Sequence, residues 1–185
     1  MTLWIARHAL PMVAPGVCYG ALDVPAQEEA TQVAALGLAA VLPVGLVVRV
    51  SPLQRCAQLS QALQALRGDL RFVMDARLAE MNFGRFEGLA WDAIAPAALR
   101  EWTDNFGDHR FGGVESTNEV LARVALVWDA ACASGNQAWL THAGVARAAT
   151  LLAQGVRRVQ RADQWPLDAP AYGRWVQLDC GCPGT

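Results

Sequence analysis

The feature that most constrains the fold is a series of short apolar runs that alternate with longer stretches rich in helix-forming residues. Apolar runs of four to six residues predict five strands, at Leu3–Ala6, Leu46–Val50, Leu70–Met74, Gln137–Thr141 and Gly173–Leu178. The last of these is expected to lie antiparallel at an edge. Strands and helices that alternate at this length predict a three-layer α/β/α sandwich around a mostly parallel sheet.

Between the strands, composition and capping residues predict four helices. They are expected at Gln27–Val41, Ser51–Leu66, Thr117–Ala133 and Val145–Gln154. Ser51 is expected to cap the second helix, with Pro52 in its first turn. Ser116 or Thr117 is expected to cap the third, which should end near Gly135.

The chain is expected to form one domain, because its 185 residues suffice for a single sizeable core. Residues 83–116 do not fit the alternating pattern. This segment contains Trp91 and Trp102 and is too long for a simple connection. We expect it to be an insertion that covers the active face.

Composition excludes several classes of partner. No apolar run approaches the ~20 residues needed to cross a bilayer, and the start of the chain does not resemble a secretory signal. The net charge is −2, without a basic run, so neither nucleic acid nor an anionic membrane is expected to bind. A cytoplasmic location is expected, and the five cysteines are expected to be reduced thiols. Cys180 and Cys182 fit neither a redox pair nor a zinc site. Monomer and homodimer are both left open.

Polar residues follow the predicted strands at the edge where ligands collect in parallel sheets. Arg7 and His8 follow the first strand, and Arg55 lies one turn into the helix after the second. Glu80 follows the third strand, and His142 follows the fourth. Two arginines, two of the three histidines and one glutamate are therefore expected to meet at one edge.

This set of side chains suits phosphoryl transfer. Two guanidinium groups can hold phosphate oxygens through charge-assisted hydrogen bonds. The N-terminus of the helix after His142 can add backbone N–H donors. An imidazole can attack phosphorus, and a carboxyl group can protonate the departing oxygen and later activate water. Because arginines offset the charge, the chemistry requires neither a metal nor another cofactor.

Six segments, taken in order, resemble the motifs of a known superfamily. They are Leu3–Ala9 (LWIARHA), Tyr19–Pro25 (YGALDVP), Ser51–Gln58 (SPLQRCAQ), Leu78–Gly88 (LAEMNFGRFEG), Gly112–Ser116 (GGVES) and Thr141–Val145 (THAGV). Together they are similar to the histidine phosphatase superfamily, whose fold is phosphoglycerate-mutase-like. Within it, the chain most resembles the alpha-ribazole phosphatases of cobalamin assembly.

The resemblance implies a role for each matched residue. His8 would be the phosphorylated nucleophile, and Glu80 would be the proton donor. Arg7, Arg55 and His142 would bind the phosphate. Tyr19, Gly20, Ala143 and Glu87 would contact the substrate, and Glu115 would lie near the rim of the pocket. The implied activity is hydrolysis of the phosphomonoester of a small metabolite, such as alpha-ribazole 5′-phosphate.

The first motif departs from the superfamily pattern. Ala9 stands where glycine is usual, and Leu10 and Pro11 replace polar residues. Phosphoglycerate-mutase-type transfer and a non-catalytic phospho-ligand module are therefore kept as alternatives to hydrolysis. The aromatic residues of the insertion also have two interpretations. Trp91, Trp102 and Phe106 either line a pocket for an aromatic or nucleoside-like leaving group or pack the insertion onto the sheet.

Overall fold

The central sheet has five strands, and all but one are parallel. A computed structural model describes residues 1–179, so Cys180 and Cys182 lie outside the described part. The strands are β1 (Thr2–Arg7), β2 (Val47–Val50), β3 (Arg71–Met74), β4 (Gln137–Thr141) and β5 (Trp175–Asp179), in the order β3-β2-β4-β1-β5. β5 pairs with β1 in the antiparallel direction at the edge of the sheet. The predicted α/β sandwich and its antiparallel edge strand are confirmed.

Helices cover both faces of the sheet. They are α1 (Glu28–Val41), α2 (Gln54–Leu66), α3 (Pro96–Asp104), α4 (Thr117–Ser134) and α5 (Ala143–Ala153), with short 3-10 segments at Ala76–Leu78, Gly84–Phe86, Trp91–Ala93 and Ala162–Gln164. Within residues 1–179 no helix is long and apolar enough to cross a bilayer.

The alternating side chains of β1 contribute to two separate cores. Leu3 and Ile5 pack into the core on the α4 and α5 face, whereas Trp4 and Ala6 pack into the core on the α1 and α2 face. This period of two follows from strand geometry. Because both faces are buried, β1 reads in the sequence as one continuous apolar run.

The predicted start of the second helix is wrong. α2 begins at Gln54, and its N-cap is Leu53, without a capping side chain. The backbone N–H of Ser51 donates to Leu140 O at 3.0 Å, so Ser51 prolongs the pairing of β2 with β4. Its hydroxyl is bonded to His142, and the helix starts three residues after it.

The other helix ends agree more closely with expectation. Ser116 caps α4, and Glu119 completes a reciprocal capping box with it. α5 begins at Ala143, two residues earlier than predicted, with His142 as its N-cap.

The segment 83–116 contains α3, which the sequence pattern did not predict. No residue of α3 is fully buried, but its apolar side chains Ala98, Leu99 and Trp102 share one face of the helix and pack against the core on the α4 and α5 face. Phe86, Phe106 and Phe111 from the same segment join the core on the α4 and α5 face. These three phenylalanines therefore pack the segment onto the domain.

Candidate active site

The register of the sheet brings the two candidate histidines together. β1 and β4 are adjacent and parallel, and Arg7 at the end of β1 pairs with Thr141 at the end of β4. The residues that follow, His8 and His142, must therefore emerge side by side. Their ring centroids lie 5.2 Å apart.

The ring of His8 is oriented by a bond to its own loop. Its Nδ1 lies 2.7 Å from the carbonyl oxygen of Ala9, so Nδ1 carries the proton and donates it. Nε2 makes no hydrogen bond to any residue in the described part of the chain, which leaves its lone pair free. Ala9 causes no backbone strain, since no non-glycine residue within residues 1–179 has a positive φ. The substitution of alanine for the usual glycine is therefore compatible with this loop.

His142 is held by Ser51, which the sequence pattern predicted to be a helix cap. Its Nε2 lies 2.7 Å from Ser51 Oγ, and both residues are fully buried. Ser51 Oγ also accepts the backbone N–H of Leu53 at 3.4 Å, so its own proton is free to be donated to Nε2. The proton of His142 then resides on Nδ1, and this buried nitrogen has no hydrogen-bond partner within residues 1–179.

The guanidinium groups of Arg7 and Arg55 are oriented by neutral partners. Arg55 is fully buried, and it donates to Leu22 O at 2.9 Å and to Gly20 O at 2.6 Å. Arg7 stacks on the ring of Tyr172, with its Cζ 3.8 Å from the ring centroid. In the described part of the chain, the buried Nε atoms of both arginines have no partner. Within residues 1–179, neither guanidinium forms an ion pair with a carboxylate.

Glu80 is joined to the first turn of α5. Its Oε2 accepts the backbone N–H of Gly144 at 3.0 Å, and its Oε1 accepts the N–H of Met81 at 3.0 Å. A Cβ on Gly144 would collide with the Glu80 carboxylate, so glycine allows this close approach. The helix N-terminus was expected to donate to phosphate. Here at least one of its N–H groups binds Glu80 instead, as helix-dipole electrostatics favours.

Burial and the nearby arginines keep both histidines neutral. Burial lowers the pKa of His8 to about 3, helped by the charges of Arg55 and Arg7 and opposed by the bond to Ala9 O. Burial also holds the pKa of His142 well below its usual value, with Arg55 the next largest cause. Two cations thus lie beside two neutral rings. Three buried nitrogens, of Arg7, Arg55 and His142, lack acceptors among the described residues. An anion is the ligand that this arrangement fits.

Two residues that were predicted to contact the substrate, Glu87 and Gly20, form hydrogen bonds within the protein. The Glu87 carboxylate accepts four backbone N–H groups at 2.8 to 3.0 Å, from Gly20, Ala21, Leu22 and Phe83. Its oxygens are therefore occupied, and Glu87 positions the loop whose carbonyls hold Arg55. Gly20 likewise uses its N–H on Glu87 and its carbonyl on Arg55. Both residues thus support the site through the loop, and their contact with the substrate stays a prediction.

The remaining expected residues lie at different points around this edge. Ala143 begins α5 directly after His142 and is buried. Glu115 forms an ion pair with Arg123 at 2.7 Å and accepts the N–H of Asn82 at 3.0 Å. No cluster of three or more His, Cys, Asp or Glu side chains suited to a metal ion occurs within residues 1–179.

A tyrosine that the sequence analysis missed covers the site. Tyr172 lies 5.6 Å from His8, centroid to centroid, and its hydroxyl is 2.8 Å from that of Tyr19. Tyr172 is 36% exposed, whereas His8 beneath it is only 2% exposed. The backbone N–H of Gly173 also donates to His8 O at 3.0 Å. The motif resemblance ends near Leu152, so the sequence carried no signal for this residue.

Comparison with known proteins identifies the class that this fold and site define. The family model of the histidine phosphatase superfamily (branch 1) matches residues 3–178, and the chain belongs to this superfamily.

Several solved structures resemble the whole chain. One, described as mycobacterial hydrolase 2, is 25% identical with a TM-score of 0.78, and the match covers 99% of this chain and 84% of that one. A mycobacterial glucosyl-3-phosphoglycerate phosphatase is 26% identical with a TM-score of 0.77, covering 96% and 89%. A protein from Thermus thermophilus is 25% identical with a TM-score of 0.73, covering 97% and 94%. No curated protein sequence matches the chain. These neighbours support phosphoester hydrolysis but do not single out the alpha-ribazole phosphatases.

Proposed function

We propose that this protein hydrolyses phosphomonoesters through a phosphohistidine intermediate on His8. One observation carries the proposal. The unprotonated Nε2 of His8 makes no hydrogen bond within residues 1–179, the ring lies 5.2 Å from that of His142, and the charges of Arg55 and Arg7 act on it. A nucleophile and the donors for a phosphate are thus assembled before substrate binds, which lowers the reorganisation needed for reaction.

In the first step, the lone pair of His8 Nε2 attacks phosphorus as the bond from phosphorus to the leaving oxygen breaks. The guanidinium groups of Arg7 and Arg55 and the Nδ1–H of His142 hold the phosphoryl oxygens. Glu80, in its protonated form, gives its proton to the leaving oxygen, so that a neutral alcohol departs. The bond from His8 Nδ1–H to Ala9 O stabilises the positive charge that the ring acquires.

In the second step, water attacks the phosphoryl group and the bond between phosphorus and Nε2 breaks. Glu80, now a carboxylate, accepts a proton from that water. Inorganic phosphate leaves, His8 is neutral again and Glu80 is protonated for the next cycle. The proposed cycle uses no metal, because the arginines offset the charge on the phosphoryl oxygens.

Labelling and turnover together test this mechanism. We expect wild-type protein to hydrolyse an aryl phosphate in the presence of EDTA and to form an acid-labile phosphoryl adduct on His8. His8→Ala should form no adduct and retain no measurable turnover, whereas His109→Ala, a change in the loop after α3, should behave as wild type. Near-normal hydrolysis by His8→Ala would refute the mechanism. Adduct formation with isomerised phosphoglycerate and little free phosphate would favour a mutase, and binding without turnover would favour a non-catalytic module.

Two candidate substrates should be assayed first. The motif resemblance supports alpha-ribazole 5′-phosphate, and the 26% identical neighbour supports glucosyl-3-phosphoglycerate. Values of kcat/KM for both, measured beside simple alkyl phosphates, would decide between them. We further propose that the chain acts in the cytoplasm as a single domain with residues 83–116 over the active face, as a monomer or a homodimer.

A further inference from the structure

An aromatic cavity of about 240 Å³ opens beside Glu80. Its walls are formed mainly by Trp91, Trp102, Phe83, Phe106 and Trp165, with Met81 and Val120 completing the apolar surface. Thr117 and Arg147 add polar groups to it. The cavity lies between the segment 83–116, the start of α4 and the first turns of α5.

The cavity begins at the residue that would protonate the leaving group. Glu80 and Gly144, joined by a 3.0 Å hydrogen bond, form part of its lining. A proton donor must contact the oxygen to which it gives its proton. The body of the leaving group must therefore occupy space adjacent to Glu80, and this cavity provides such space.

Three polar side chains that line the cavity carry buried atoms without partners among the described residues. They are the hydroxyl of Thr117, which is 1% exposed, the indole N–H of Trp102 and the Nε–H of Arg147. The only hydrogen bond of the Arg147 side chain within residues 1–179 is from Nη2 to Leu167 O at 2.9 Å. Buried donors without acceptors are costly, so a ligand that accepts hydrogen bonds would satisfy them.

A second cavity also touches Glu80 but suits a phosphoester less well. It is wide and open, about 530 Å³, and Glu115, Glu119 and Arg123 line it. Arg123 is already paired with Glu115 at 2.7 Å, and Glu119 is paired with Arg110, so these charged groups have partners within the protein. Among the described residues, the lining of this space includes no aromatic side chain. It therefore offers a leaving group less apolar surface than the aromatic cavity does.

We infer that the aromatic cavity holds the leaving group, and that this group is a ring system with hydrogen-bond acceptors on its edge. The inference rests on the proposed function. An engineered apolar cavity of about 150 Å³ holds one benzene molecule, so a space of about 240 Å³ accommodates one ring or two fused rings. Aromatic walls supply the faces for stacking. Arg147, Trp102 and Thr117 supply donors for the ring edge.

Phosphates of three kinds of primary alcohol test the inference, because their leaving oxygens are chemically similar. These are ethyl phosphate, naphthylmethyl phosphate and a series of quinolinylmethyl phosphates with the ring nitrogen at each position. We expect kcat/KM for naphthylmethyl phosphate to exceed that for ethyl phosphate by at least about tenfold, since a ring is buried. At least one quinoline isomer should exceed the naphthyl compound by about fivefold, because its nitrogen accepts a hydrogen bond.

Variants assign these preferences to the cavity. Arg147→Met retains bulk but removes the donor, so it should abolish the quinoline advantage and preserve the naphthyl preference. Trp102→Ala should reduce the naphthyl preference. Val114→Ala, in the wall of the second cavity, is the matched control and should change neither ratio. If Trp102→Ala does not fold, Arg147→Met still tests the assignment of the donor.

The two proposals fail in different ways. Acetyl phosphate carries no ring and should phosphorylate His8 whatever the cavity binds. Absence of that adduct would overturn the proposed function and the inference with it. Labelling accompanied by equal kcat/KM for ethyl and naphthylmethyl phosphates, or by ring preferences that change only in Val114→Ala, would overturn the inference alone.

Discussion

Replacing Ser51 with alanine should damage the site through His142. The hydroxyl of Ser51 donates to Nε2 of His142 at 2.7 Å and thereby keeps the imidazole proton on Nδ1. Without it, the one remaining neighbour of the fully buried Nε2 within residues 1–179 is Cys56 Sγ at 3.6 Å, a weak donor. The ring can then move its proton to Nε2, where the sulfur accepts it poorly. Nδ1 would present a lone pair to the phosphate in place of a donor.

Two magnitudes follow from this geometry. An unsatisfied buried polar atom costs about 1–3 kcal/mol, so we expect Ser51→Ala to lower the free energy of unfolding by about 2 kcal/mol. For a domain of this size that corresponds to a decrease in Tm of about 4–8 °C. Loss of one donor to a transition-state oxyanion typically costs about 100- to 1,000-fold in rate. Because part of the population retains the original tautomer, we expect kcat/KM to fall by about 10- to 100-fold.

Urea unfolding and steady-state kinetics on the same preparations measure both effects. Ser60→Ala is the matched control, since Ser60 lies in the helix that follows Ser51 and its hydroxyl donates to Ala57 O within that helix. It should change the free energy of unfolding by no more than about 0.5 kcal/mol and leave kcat/KM unaltered. If Ser51→Ala retained kcat/KM within twofold of wild type, the assigned tautomer of His142 would be wrong.

Three further predictions concern pH, the covering tyrosine and the supporting loop. Both buried histidines are neutral when folded, with His8 at a pKa of about 3, and titrate near 6.5 when unfolded. As pH falls below about 6.5, the unfolded state binds more protons, so stability should fall by up to about 1.4 kcal/mol per pH unit for each ring. Urea unfolding at pH 7 and pH 5 measures this loss of stability, and His8→Gln should halve it. If the variant lost as much stability between the two pH values as wild type, His8 would not be neutral in the folded protein. Tyr172→Phe removes the hydroxyl bond to Tyr19, worth about 1 kcal/mol, and should speed diethyl pyrocarbonate modification of His8 about fivefold. His109, which is partly exposed, is the internal reference for the modification rate. Equal modification rates of His8 in wild type and in Tyr172→Phe would contradict the covering role of Tyr172. Glu87→Gln replaces an acceptor of four N–H groups, so it should cost about 3 kcal/mol in urea unfolding and raise KM. Glu101→Gln, at an exposed position, should change neither the stability nor KM. A Glu87→Gln protein as stable as wild type would contradict the structural role of Glu87.

Much of the fold could be predicted because it depends on local patterns. Strands buried on both faces appear in the sequence as short apolar runs, and β1 and β4 were located in this way to within a residue or two. The capping box at Ser116 is likewise a short-range signal. Once the strands are known, parallel pairing places His8 and His142 together. The position of the two rings thus follows from topology.

What the sequence could not predict depends on contacts between distant residues. Ser51 has the local pattern of a helix cap, yet its hydroxyl is bonded to a histidine 91 positions away. The motif that contains Glu87 suggests a position at the pocket rim, but the Glu87 carboxylate accepts backbone N–H groups from another loop. Tyr172 covers His8 only because β5 returns antiparallel beside β1. Such pairings are decided by tertiary packing, and neither composition nor period encodes them.

The positive charge of the site explains why these supporting contacts are needed. Carboxylates would hold Arg7 and Arg55 most strongly, but a carboxylate paired with either would compete with phosphate for the same donors. Backbone carbonyls of Gly20, Leu22 and Pro170 orient the guanidinium groups without cancelling their charge. Burial, together with the same uncancelled charge, lowers the pKa of His8 and so keeps the ring neutral and nucleophilic over the whole physiological range of pH. Binding an anion removes the electrostatic part of that pKa shift. A bound phosphate should therefore raise the basicity of His8 Nε2, the attacking nitrogen, once the substrate is in place.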